Sequence, residues 1–196
     1  MDHRGISSAL YQLSYAPLSN VLIVATLSKK TIFSIVVYMI HEFGAKKMGE
    51  VLAFNELGID TIDRGIDALT EAFGEEKISD MKERFRMHID TIVAIATEAD
   101  VIDTTHAKAE KTLTKLKAMR DLYVGDQWHN AVELSEWSGF FEGAAIVHYA
   151  VIRGVAQEIN NEQLLMLAEE AINWHYSLLE LFEGELEQEG TDKSQL

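Results

Sequence analysis

The chain of 196 residues contains no cysteine and a single proline, at position 17. Without thiols there can be neither a disulfide nor a thiolate zinc site, so a bound metal would have to be held by imidazole and carboxylate. A reducing, cytoplasmic setting fits this, although a lack of cysteine does not establish it. Proline punctuates turns, strand edges and helix starts, so its scarcity points to long helices joined by short loops. Basic residues are also in deficit: 17 Lys and Arg stand against 32 Asp and Glu, for a formal charge of −15. Nucleic acids and anionic membranes are held by clustered cations, so both are excluded as partners. Long apolar runs are missing too. The two near the start, Val21 to Leu27 and Thr31 to Ile40, are split by Lys29 and Lys30. Each falls short of the ~20 residues needed to cross a bilayer. The opening MDHRG has no basic region followed by an apolar core, so no secretory leader is expected.

What is present is helical periodicity. With 47% hydrophobic and 25% charged residues the composition is that of an ordinary globular protein. No stretch looks like a linker, so residues 1–189 are expected to form one all-α antiparallel bundle, with 190–196 a flexible polar tail. Four long helices plus shorter ones are expected. A short helix is read over residues 5–16, stopping before Pro17, and a second short segment up to Leu27. The first long helix is read from Lys30 to Leu57 with Gly58 as its stop, followed by Asp60 to Phe73 closed by Gly74.

Two seams are unusually regular. Met81, Phe85, His88, Ile92, Ile95 and Ala99 alternate at four and three residues on a helix starting near Ser79; Leu164, Ala168, Ala171, His175, Leu178 and Phe182 do the same on the last helix, Glu162 to Gln188. Each seam contains one histidine. Between them, a helix from Asp103 or Thr104 to Tyr123 has an exposed face with Lys108, Lys111, Lys115 and Arg120. Asn160 and Asn161 provide the turn between the two final helices.

The least ordinary stretch is Asp126 to Glu158. On a helical wheel His129, Glu133, Glu136, Phe140, Gly143, Ala144, Val147, Val151 and Gly154 share one stripe, read as the buried one. Glu142 and Arg153 fall on the opposite side, read as solvated or as a subunit contact. A histidine and two carboxylates at spacings of four and three lie within reach of one ion. His129, Glu133 and Glu136 are therefore candidate ligands for a divalent metal such as Zn, Mn or Fe. His175 or His148 would serve as a further ligand or acid–base group. His148, counted out from the Asn160 turn, stands level with His175, and with His88 the three could converge. Glu42, Glu50 or Glu56 could supply a facing carboxylate. Equally, acids in the first turns of a helix favour its positive dipole end, and a core histidine is commonly satisfied by a neighbouring oxygen.

Neither the paired Glu-x-x-His of di-iron bundles nor HExxH is present, and there is no Gly-x-Ser-x-Gly elbow, phosphate loop or dinucleotide fingerprint. The leading expectation is a self-associating, non-catalytic bundle protein, a homodimer, since every long helix has more apolar surface than one core needs. The alternative is a metal-dependent hydrolase or oxidase using the His/Glu set above. A third option is an apolar-ligand carrier with its cavity beside Gly139 and Gly143.

Overall fold

A computed structural model describes residues 40–194. The helices read over 5–16 and up to Leu27, and the start of the one read from Lys30, lie outside the described residues. So does the end of the tail. The described residues form six helices and no strand: α1 (Glu42–Arg64), α2 (Ile66–Phe73), α3 (Glu75–Glu98), α4 (Ile102–Val124), α5 (Ala131–Ile159) and α6 (Glu162–Lys193). The all-α bundle is as expected from periodicity. Five of the six helices are long, not four, and α6 runs on through much of the segment read as a tail.

Local chemistry sets the boundaries. Asn161 caps α6 by accepting from the Leu164 amide at 2.9 Å, and Asn130 caps α5 by accepting from Val132 at 3.1 Å. Asn160, at φ 53°, closes α5 in the left-handed region that asparagine tolerates. The α5–α6 hairpin turns there, and these two helices share the most extensive contact in the bundle.

Gly58 does not end α1. The helix passes through it, because the Phe85 ring of α3 lies against the bare backbone; a Cβ there would stand 2.4 Å from the ring. Gly49 does the same for α4, where a Cβ would meet the Thr105 carbonyl oxygen at 2.3 Å. The two glycines let α1 lie close to both neighbours.

The core falls into two clusters along the bundle axis. One gathers Met48, Leu52, Ile92, Tyr149, Ile152 and Leu164; the other Leu57, Phe85, Leu134, Trp137, Phe141 and Phe182. Both regular seams are buried as expected, on α3 from Met81 to Ile95 and on α6 from Leu164 to Phe182. Their histidines, His88 and His175, lie side by side with ring centroids 6.3 Å apart. His175 is 5.4 Å from Tyr149 of the first cluster and 6.2 Å from Phe85 of the second, which places the two imidazoles where the clusters meet.

α5 is turned the other way from the sequence reading. Leu134, Trp137, Phe141, Ala145, Tyr149, Ile152 and Ala156 face inward, while Phe140 is 58% and Val147 64% exposed. Glu142, read as surface, is 2% exposed. Arg120, read with the lysines of α4, is 1% exposed, and its guanidinium reaches Asp60 at 2.5 Å and Thr61 at 3.1 Å. It also bonds Asp121, which takes a second guanidinium from Arg64.

Candidate functional site: an imidazole–carboxylate centre and an outward apolar face

The polar centre is built from four helices. Asn55 of α1 donates through Nδ2 to the Val51 carbonyl at 2.6 Å and to the Tyr149 hydroxyl at 2.7 Å. The carbonyl can only accept, so the amide orientation is fixed, and Oδ1 faces His88 Nδ1 at 3.2 Å. His88 is wholly buried, and its Nε2 lies 2.5 Å from Glu170 Oε2. Glu170 is partly exposed and takes Arg84 on its other oxygen at 2.5 Å. Burial pushes the His88 imidazole below its ordinary value, against the upward pull of the Glu170 carboxylate.

Beside it His175 Nδ1 meets Glu142, both groups inside the bundle. Burial raises the Glu142 carboxyl above its ordinary value, only partly offset by His175. Among the described residues His175 Nε2 has no hydrogen-bond partner. An imidazole held at Nδ1 by a carboxylate, with Nε2 bare, is oriented as metal-bound or basic histidines are. A cavity of about 20 Å³ adjoins Glu142, lined by Gly58, Phe85, Trp137 and Ser138. This is room for a single water, not a substrate.

The metal set read from the sequence is dispersed. His129 is exposed in the turn before α5, on an open depression with Glu71 and Glu185. The exposed Glu136 accepts from the Tyr123 hydroxyl at 3.1 Å, and Glu133 is half-buried in the first turn of α5. The stripe that carries them faces outward because the aromatic side of α5 fills the core. His148 does not join His175: it packs on Phe54, ring centroids 4.8 Å apart, and meets Glu50 at 3.1 Å. Glu50 is thus a facing carboxylate of the kind sought on α1, but Lys47 and Lys108 hold it at 2.8 Å each. Among the described residues no three His, Asp or Glu are grouped to hold a metal ion. Glu170, Glu142 and Asn55 were missed as site residues. For Glu142 and Glu170 the available signal was their position on helices whose neighbouring turns are apolar.

The second feature is the outer face of α5. Phe140, Gly143, Val147, Val151 and Gly154 form an apolar strip bounded by Glu136 at one end and Glu158 at the other. It leads into an open groove of about 510 Å³ lined by His41, Phe43, Gly44, Val151, Gly154 and Val155. Phe43 is 59% exposed at its edge. Among the described residues a Cβ added at Gly143 or Gly154 would meet nothing within 4 Å. None of the described helices is long and apolar enough to cross a membrane.

Comparison with protein-family models, with curated proteins and with solved structures finds no match for this chain.

Proposed function

We propose that this is an acidic interaction protein that works by self-association, two copies meeting across the outer face of α5. One observation carries the reading: a 29-residue helix already packed on its aromatic side presents a second apolar strip to solvent. Contiguous exposed apolar surface of this kind marks interaction sites.

A second copy suits the strip because the strip complements itself. Two α5 helices running antiparallel about a two-fold axis at Val147 would set Phe140 against the partner's Gly154 and Val151 against the partner's Gly143. Large side chains meet bare backbone, as an isologous interface requires. The ends are less favourable, since Glu136 would approach the partner's Glu158. One helix face with the Phe43 edge lies at the low end of interface size, roughly 1,000 Å² in total, so the dimer is reversible at about micromolar concentration. We also propose a cytoplasmic location, a reducing setting that the absence of cysteine fits.

Light scattering on size-exclusion fractions tests it. Wild-type protein is expected to move from the mass of one 22.0 kDa chain toward twice that mass as loading rises through the micromolar range. Val147→Glu is expected to stay monomeric with unchanged helicity. A wild-type chain monomeric at every loading would overturn the reading.

A further inference from the structure

The buried carboxyl of Glu142 has one oxygen answered and one not. Its Oε2 meets His175 Nδ1, and among the described residues no other polar group bonds the carboxyl. Around the cavity beside it the seams of α3 and α6 present Met81, Phe85, Leu178 and Phe182, none of which can donate a hydrogen bond. An oxygen closed in by such neighbours is costly to leave unpaired. Trp137, earlier on α5, has the complementary need. Its Nε1 is buried, and among the described residues it has no acceptor.

Both side chains line the cavity of about 20 Å³, together with Ser138 between them in the sequence. A water requires about 10–15 Å³ of such space and two to four polar partners. The volume therefore admits one molecule. Glu142 supplies an acceptor, Trp137 a donor, and the Ser138 hydroxyl can be either. A dry void here would leave the carboxyl oxygen and the indole N–H both unpaired, whereas a single water answers the two at once.

We propose that this cavity is a hydration site, in which one resident water accepts from Trp137 Nε1 and donates to the second oxygen of Glu142, with Ser138 Oγ as its third partner. The buried pair of His175 and Glu142 is thereby extended by a bonded contact into the aromatic core cluster. Phe85, Phe141 and Phe182, all buried, border the site, so the water exchanges slowly with bulk.

A crystal structure of the full chain at about 1.6 Å, with a second data set collected under xenon pressure, tests this. The expected result is one ordered peak within about 3.2 Å of both Trp137 Nε1 and a Glu142 oxygen, retained under xenon. Apolar voids stay dry and take up xenon. A cavity without a peak, one that xenon occupies, or a peak bonded to neither group would overturn the proposal. In solution, water relaxation dispersion should count one long-lived water fewer in Ser138→Val, whose branched side chain fills the space, than in wild type. An equal count in the folded variant would also overturn it. The wild-type crystal decides the matter even if the variant fails to fold.

Discussion

His175 and Glu142 face each other from α6 and α5 through Nδ1 and a carboxylate oxygen, both side chains closed off from water. A pair so placed recovers little stability from its attraction, since the desolvation of both groups must first be met. Removing one member is far worse than removing both. Glu142→Leu should cost about 3 kcal/mol by urea unfolding, because the buried imidazole then has no partner at either nitrogen. The double variant Glu142→Leu, His175→Leu should recover most of that loss. A double variant whose cost equals the sum of the two singles would show that the pair is not coupled.

Arg120 of α4 bonds Asp60 of α1 as well as its own neighbour Asp121, and its guanidinium and that of Arg64 lie 5.0 Å and 3.7 Å from the Trp128 ring centroid. Arg120→Met keeps the length and apolar stem but leaves Asp60 to Lys117 alone. The expected loss is about 2–3 kcal/mol, below the ~3–5 of a fully buried pair because both carboxylates stay partly hydrated. Melting should fall by roughly 5–10 °C. A change under about 1 °C would mean that the guanidinium is not what holds α1 to α4.

At Gly58 two effects oppose each other. Alanine gains about 1 kcal/mol of helix propensity, whereas its methyl would drive into the Phe85 ring at an overpacking cost of about 1–3 kcal/mol. Gly58→Ala should therefore destabilise, and less so in a Phe85→Leu background. At Gly154, where a Cβ meets nothing among the described residues, alanine should stabilise the isolated chain by several tenths of a kcal/mol while weakening its association. Equal effects at the two positions would contradict the contrast drawn between them.

Acid should weaken the bundle partly through Glu50. Burial alone would raise its carboxyl, but hydrogen bonds from Lys108 and Lys47 outweigh that and hold it below its ordinary 4.5. A carboxylate depressed in the folded state contributes stability above its unfolded value, and that contribution is lost as pH falls through the folded one. Glu50→Gln should thus be less stable than wild type at pH 7, with the gap closing below pH 4.5. Asp60, depressed by Lys117 and Arg120 despite burial, acts with the same sign below its ordinary 3.8. A gap unchanged between pH 7 and pH 3 would show that Glu50 contributes nothing through its charge.

Legibility in the sequence followed how many apolar faces each helix has. On α3 and α6 a single seam alternates cleanly with polar residues, so Met81 to Ile95 and Leu164 to Phe182 were identifiable from spacing. α5 has two apolar sides. Phe140, Val147 and Val151 compete with Trp137, Phe141, Tyr149 and Ile152, and periodicity alone cannot say which side is buried. Choosing the wrong one turned Glu142 outward and His129, Glu133 and Glu136 inward. Arg120 was misplaced for a related reason: its burial goes with bonds to Asp60 and Thr61, which lie 60 and 59 residues away in the sequence. His88 and His175 were identifiable as interior histidines, whereas their carboxylate partners came from other positions and needed three dimensions.

Association across α5 should also respond to salt. Like charges at both ends of the strip, on a chain of net charge −15, oppose pairing and are screened as ionic strength rises. The dimer is expected to tighten several-fold between 50 mM and 500 mM NaCl, and Glu158→Lys to tighten it at low salt. Weakening with salt would point to an interface held by opposite charges instead.

The two-fold pairing itself can be read with one introduced thiol, since the natural chain has none. In Val147→Cys the only thiols that can meet are the same residue in two copies, and a disulfide needs their Cβ atoms about 4 Å apart. Mild oxidation at micromolar protein should convert most of this variant to a covalent dimer within minutes, while Cys at the no less exposed Met166, on α6, stays monomeric. Equal or slower cross-linking at position 147 would contradict association through the outer face of α5.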